Sequence, residues 1–414
     1  MTKRLRPDPD LEALIQRLNR TAGLVPAGAA AGEAEVDPTP ARLPAATHPG
    51  WSLPGDDEAG REWLTRLLSA AREAHASDLL LVAGTRPTAR VNGRLVPLED
   101  QELAPATTAA LCAALVPATH AERLAGAGTV DFAQARPGIG RFRCNVHRTG
   151  GNWSAALRLL PERALDLEAL HLPAALGRFA ELEYGLVLVT GPTGTGKSTT
   201  LAALMRRILA HRSVHVITIE DPVEYTHPPG QSVVEHVEIG RDARSFASAL
   251  RSVLRQDPDV LLIGEMRDPE SISIAITAAE TGHLVLSTLH TGDAPQTIHR
   301  ILDSYPAGQV EQVRTQLSIS LAGIVSQQLL PRADGKGRVP AVEVMVATHA
   351  VRNLIRQGKI AHLRSQLTLE RQAGMLSLDS SLVRLVQQGL VDRELARARA
   401  RIPDEFEALL QRRS

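Results

Sequence analysis

The sequence predicts an α/β protein: a parallel, doubly wound sheet carrying a phosphate-binding loop, preceded by a smaller α+β module. Three observations predict it. From Gly185 onward, short apolar runs bounded by turn signals alternate with helical stretches. The runs GLVLVT, HVITIED, DVLLIGE and HLVLSTLH are nearly continuous in apolar residues, as strands covered on both faces must be. GPTGTGKS, residues 191–198, follows the first run and opens a helix, which is the strand–loop–helix context a phosphate loop requires.

The elements follow in order. Residues 10–20 (DLEALIQRLNR) place Leu11, Leu14, Ile15 and Leu18 on one helical face. Of the 29 residues from 22 to 50, 18 are Ala, Pro or Gly without a sustained period, which is linker composition. Residues 1–57 are therefore expected to be a disordered tail with a short helix, and 58–165 an N-terminal α+β domain. REWLTRLLSAAREAHA has helical spacing, DLLLVAG reads as a strand, and TARVNGRLVPL reads as a hairpin turning at Asn92-Gly93. ATTAALCAALVPATHAERLAG is helical again, and VDFAQARPG and GRFRCNVHRTGGNWSAALRLLP supply further strands. The last domain is expected over 166–414. Its helices include KSTTLAALMRRILA, SFASALRSVLRQ and DAPQTIHRILDSY. After Pro331 come one strand (RVPAVEVMVAT) and a run of short helices.

Composition narrows the function. The chain has 414 residues, 43% of them hydrophobic, with 46 Lys+Arg against 46 Asp+Glu. A protein living on phosphate-backbone contacts is normally basic, and one that stacks bases needs more than 3% aromatic residues, so nucleic acid is not the expected partner. Cys112 and Cys144 lie far apart and cannot make a four-thiolate zinc site, so the chain reads as reduced and cytosolic. No window holds about 18 consecutive apolar residues, so no membrane span is expected. The charged start MTKRLRPDPD is not a secretory signal.

Gly191, Pro192, Thr193, Gly194, Thr195, Gly196, Lys197 and Ser198 match GxxxxGK[ST], a pattern that arises by chance in about one or two percent of chains this long. Small residues let backbone N–H groups approach phosphates, and the helix N-terminus adds its positive end. Lys197 is expected to reach the β- and γ-phosphates, and Ser198 to ligate Mg²⁺, with Thr199 completing the nucleotide site. No guanine-reading NKxD follows, which favours ATP. Three clusters come next: Glu220, Asp221 and Glu224 after the second apolar strand, Asp259 to Glu265 along the third, and His283 and His290 flanking the fourth. Carboxylates at the ends of parallel strands can hold a metal's water or activate the attacking water. The histidines could sense the γ-phosphate or couple neighbouring segments.

GPTGTGKSTTLAAL, ITIEDPVEY and LLIGEMRDPESISIAITAAETGHLVLSTLHT, in this order, resemble the Walker A, Asp, Walker B and His boxes of the type II/type IV pilus secretion ATPases. The resemblance covers about residues 60–400. Within that family the PilT-type, pilus-retraction branch is nearest: Ala76-Ser77-Asp78-Leu79, GRFRCN at 140–145 and the run Ala350 to Gln357 are similar to its markers. Extension relatives usually carry a tetracysteine zinc module, which two cysteines exclude. Gln357, Val351 and Leu80 depart from the branch pattern, so a PilU-like accessory ATPase or a related secretion or DNA-transfer motor stays open as the alternative.

The resemblance implies a RecA-like P-loop core preceded by a PAS-like domain. It implies an ATP- and Mg²⁺-dependent homo-hexameric motor for pilus retraction and twitching motility. Such a motor acts in the cytoplasm at the inner-membrane face, on a membrane platform protein and alongside a paralogous pilus ATPase. It implies Glu265 as the catalytic base, Glu220, Asp221 and Glu224 around metal and water, and His283 and His290 as the His box. Arg143 and Arg158 match the arginines brought to the γ-phosphate, where they would neutralise developing charge.

Overall fold

The computed structural model describes residues 58–412 apart from Asn92, Glu162 and Pro229. The expected helix over 10–20 and the linker after it lie outside these residues, as does Asn92 of the hairpin turn.

Helix α1 (Glu58–Glu73) leads into β1 (Asp78–Val82), β2 (Thr88–Val91) and β3 (Arg94–Pro97). Helices α2 (Pro105–Leu115) and α3 (Ala121–Ala127) precede β4 (Thr129–Arg136), β5 (Gly140–Thr149) and β6 (Asn152–Leu160). The six strands form one antiparallel sheet in the order β3-β2-β1-β6-β5-β4. Side chains alternate along a strand, so β5 sends Phe142, Cys144 and Val146 into a core with Leu64, Leu67 and Leu68 of α1 and Leu111 and Leu115 of α2. Arg141, Arg143 and Asn145 therefore occupy the other face, half-buried. Cys112 and Cys144 are free and buried, and burial pushes both thiols up to about 12.

The second sheet is the RecA-like core. Its elements are β7 (Gly185–Thr190), α4 (Lys197–His211), β8 (His215–Glu220), β9 (Val233–Glu238), α5 (Phe246–Val253), β10 (Val260–Ile263), α6 (Pro269–Glu280) and β11 (Leu284–Leu289). They continue with α7 (Ala294–Leu302), α8 (Val310–Ser320), β12 (Leu321–Pro331) and β13 (Arg338–Val346). The strand order is β13-β12-β7-β11-β10-β8-β9, parallel throughout except for the antiparallel edge strand β13. Both faces are dry. Leu186, Leu188, Ile217, Ile219, Leu261 and Ile263 meet α5 to α7 on one side, while Val187, Val189, Val216 and Leu262 meet Leu201, Leu204 and Ile208 of α4 on the other.

Two strands escaped the sequence reading. β9 is a polar edge strand whose VVEHVE leaves alternate residues open, so it lacks an apolar run. β12 is nearly continuous in buried residues but follows α8 without a break, so no turn signal announces it. The pairing of β12 with β7 shifts register between Leu321 and Gly323, and Gly323 lies against the ring of Phe179. A Cβ on Gly323 would stand 2.4 Å from that ring and 2.9 Å from the Met345 carbonyl oxygen. Gly323→Ala is accordingly expected to cost at least about 1–3 kcal/mol of stability by overpacking, read as a lowered thermal midpoint.

Short helices α9 (His349–Arg356), α10 (Leu363–Leu369), α11 (Leu378–Gln387), α12 (Arg393–Arg399) and α13 (Pro403–Arg412) close the chain. Leu378, Leu382, Leu385 and Phe406 pack on Leu330, Val339 and Ala341 of the β12–β13 edge. Among the described residues no helix is long and apolar enough to cross a membrane.

Candidate active site

Parallel strands point their carboxyl ends to one edge, where ligands bind in open α/β sheets. Here that edge gathers the loops after β7 (191–196), β8 (221–225), β10 (264–268) and β11 (290–293). The neighbouring order β7-β11-β10-β8 sets the four sequence boxes side by side.

The phosphate loop is shaped from below by β12. Gly191, at φ +148°, lies so close to the Gln327 carbonyl oxygen that a Cβ would meet it at 2.4 Å. Helix α4 starts at Gly196 without a capping side chain, whereas Asp268 caps α6 and Asp293 caps α7. Its first-turn N–H groups are thus left for an anion. The Lys197 Nζ donates to the carbonyls of Gly191 (2.9 Å) and Pro192 (3.1 Å) and lies 3.5 Å from His290 Nδ1. Burial pulls this ammonium below its ordinary range, while Glu265 and Glu224 work in the opposite direction. Thr193 Oγ1 also lies 3.5 Å from His290 Nδ1, and Thr195 Oγ1 donates to the Pro192 carbonyl at 2.9 Å. Thr199 Oγ1 accepts from the Tyr225 hydroxyl at 3.0 Å, tying the phosphate helix to the Asp-box loop.

Glu265 stands just beyond β10. One carboxylate oxygen meets His290 Nε2 at 3.0 Å and the other meets an Arg267 guanidinium nitrogen at 2.8 Å. Burial pushes this carboxyl up, but the Arg267 hydrogen bond and charge and His290 outweigh it, leaving it below the usual carboxylate range. His290 thus turns its Nε2 to Glu265 and its Nδ1 to Lys197. The imidazole therefore bridges the phosphate lysine and the carboxylate.

The Asp-box acids diverge. Glu220 ends β8 and is buried, its Oε2 accepting from the Glu224 N–H at 3.2 Å, and burial raises its carboxyl to about 7. Glu224 contributes to the field at Lys197, and exposed Asp221 to that at Arg267. Ser198, Glu220, Tyr225, His227 and Gly264 line a cavity of about 20 Å³, closed on its other side by apolar residues of α4 and β10. Its oxygen donors suit a hard cation such as Mg²⁺, which is held by few protein ligands and substrate phosphates.

Three expected residues are not brought to this point. His283 precedes β11 at the amino edge of the sheet, its Nδ1 2.9 Å from the Ala278 carbonyl oxygen, so the length of the strand separates it from His290. Arg143 and Arg158 are cross-strand neighbours on the polar face of the N-terminal sheet. Together with Asp78, Asp131 and Asn145 they line a cavity of about 190 Å³, and Arg158 is paired with Asp78 at 3.0 Å.

Three other residues take part that the motifs did not single out. Arg141, two positions before Arg143 on the same face, donates to the Val223 carbonyl at 3.0 Å and so joins the N-terminal sheet to the Asp box. Arg267 orients Glu265. Gln327 is buried beneath the phosphate loop, donating to the Thr195 carbonyl and accepting from Thr200 Oγ1 at 2.9 Å. The RFR pattern was the one available signal for Arg141; Gln327 needed the unread strand β12. Gln327→Leu is expected to cost about 1–3 kcal/mol by leaving both groups unpaired. Part of that should appear as a higher Kd in a fluorescent-nucleotide titration, and an unchanged Kd would show that the loop holds its own shape.

Comparison with known proteins shows the family. Residues 140–353 match the family model described as "Type II/IV secretion system protein". A twitching motility protein of Neisseria gonorrhoeae is 50% identical over 66% of this chain and 72% of its own length. The type IV pilus retraction ATPase PilT of Pseudomonas aeruginosa is 42% identical over 83% of this chain and 99% of its own. A crystal structure of the pilus retraction motor PilT with bound ADP superposes with a TM-score of 0.77 at 42% identity, covering 84% of this chain and 98% of that one. The chain belongs to the type II/IV secretion system protein family, in its branch of pilus-retraction ATPases.

Proposed function

We propose that this chain is an ATP-hydrolysing motor that powers the retraction of type IV pili. The observation that carries the reading is the convergence of Lys197, His290 and Glu265 at the carboxyl edge of the sheet. Likeness to a retraction ATPase over nearly that protein's whole length supports the direction of force.

The residues divide the chemistry. The N–H groups of residues 191–199 and Lys197 bind the phosphates. Glu265, held as a carboxylate, accepts the proton of the attacking water, and His290 keeps it beside Lys197. Ser198 and Glu220 would hold Mg²⁺, with Asp221 and Glu224 around it; that ion supplies neutralisation of the phosphate charge. Arg143 and Arg158 would meet the γ-phosphate when the N-terminal sheet of this or a neighbouring subunit closes, and Arg158 must then release Asp78. His283 has its role in the His box away from this chain's own Glu265. The motor works as a homo-hexamer in the cytoplasm, pulling through a membrane platform protein and alongside a paralogous pilus ATPase. Its two domains are 58–165 and 166–414.

A deletion strain tests the reading. Loss of twitching with excess pili, restored by the wild-type gene and not by Lys197→Ala, is expected. Loss of pili would assign assembly instead. Strong stimulation of the purified ATPase by DNA would point to a DNA-transfer motor.

A further inference from the structure

The loop that carries His290 ends at Asp293, and Asp293 is tied to the far end of the chain. It is completely buried. Its Oδ1 caps α7 by accepting from the Gln296 N–H at 2.7 Å. Its Oδ2 accepts from Arg364 at 2.9 Å and from Arg401 at 2.5 Å. Arg401 also donates to the Gly292 carbonyl at 2.9 Å, so one guanidinium grips two consecutive residues of the loop. A fork of this kind fixes geometry as well as charge.

Arg401 is itself held. It lies between α12 and α13, where the Arg401 and Ile402 N–H groups donate to the buried Asp379 carboxylate of α11 at 2.8 and 3.3 Å. Glu343 of β13, also buried, lies 3.5 Å from Arg401 Nε and accepts from the Ala294 N–H at 3.1 Å. A continuous set of polar contacts thus runs from α11 through Arg401 to the loop two residues after His290, and from His290 to Glu265 at 3.0 Å.

We infer that Arg401 is a positioning residue for ATP hydrolysis: through Gly292 and Asp293 it holds the His290 loop so that the imidazole stays on Glu265. Arg401 touches neither Glu265 nor the phosphate loop, so its effect runs through His290. The C-terminal helices and the water-activating carboxylate are thereby mechanically linked, and displacing those helices would draw His290 off the base. This deepens the proposed ATPase reading and rests on it.

The variants are Arg401→Lys, which keeps the charge but loses the planar fork whose two nitrogens reach the two loop residues, and Arg401→Gln, with His290→Ala and the double variant His290→Ala/Arg401→Lys. Arg401→Lys is expected to lower kcat by about 10- to 100-fold with KM for ATP near wild type, as misplaced catalytic groups do. The double variant should be no slower than His290→Ala alone, because both changes remove one effect. Multiplying losses, or an unchanged kcat in Arg401→Lys, would overturn the inference. A second arm needs no nucleotide. The Gly292, Ala294 and Gln296 amides of Arg401→Lys, which donate to Gln296 Oε1, Glu343 Oε1 and Asp293 Oδ1, should exchange hydrogen at least about tenfold faster while α4 amides keep their protection. Unchanged exchange at Gly292, Ala294 and Gln296 would overturn the inference whatever the ATPase activity. An inactive wild-type enzyme would instead count against the ATPase reading alone.

Discussion

Glu265→Gln is expected to reduce kcat for ATP hydrolysis by about 10²- to 10⁴-fold, the usual contribution of a positioned general base. The side chain keeps its size, so the loop after β10 keeps its place. What disappears is the proton acceptor and half of the charge pairing that fixes it, since one oxygen now meets Arg267 at 2.8 Å and the other His290 at 3.0 Å. KM for ATP should change little, because the loop after β7 and Lys197, the groups proposed to bind the phosphates, keep their identity and their place. Steady-state and single-turnover hydrolysis would measure both quantities. Unchanged turnover would remove Glu265 from the role of base, and a large rise in KM would make it a binding group.

The site was legible where chemistry is written in consecutive residues. The phosphate loop, the carboxylates ending β8 and following β10, and His290 each follow an apolar run, and parallel strands bring such positions to one edge. The partners that orient them were not legible, because each depends on a long-range pairing. Gln327 reaches the phosphate loop only because β12 lies beside β7 in register. Arg401 reaches Gly292 across 109 positions of sequence. The arginines show a finer limit. Period two puts Arg141 and Arg143 on one face, but the placement of the sheet decides that Arg141 touches the Asp box. His283 and His290 show the converse. Two histidines flanking one strand must lie a strand's length apart, so a shared box does not give a shared location within one chain.

Glu220→Gln is expected to raise the stability of the nucleotide-free protein at pH 8 while abolishing its turnover. Burial is the main cause that lifts the Glu220 carboxyl from 4.5 to about 7; the Glu224 N–H and the Thr218 hydroxyl oppose it. A carboxyl raised on folding binds more protons in the folded state than in the unfolded one between those two pH values, so stability falls as pH rises through that window. Above it the folded chain carries a charge at a cost of about 3 kcal/mol, at 1.36 kcal/mol per unit. Glutamine retains the oxygen that accepts from Glu224 and carries no charge, so the variant escapes the penalty. Its advantage in thermal midpoint, measured with EDTA and without nucleotide, should be largest near pH 8 and vanish toward pH 4.5. A difference independent of pH would remove ionisation of Glu220 as the cause. The same charge is what the proposed Mg²⁺ site would need: an anionic oxygen beside Ser198 in the cavity between α4 and β8 suits a hard cation, and a neutral amide there would hold it poorly. If Glu220 serves turnover as proposed, a buried carboxylate that weakens the fold once it ionises is strain kept at a functional position, where stability is given up for activity.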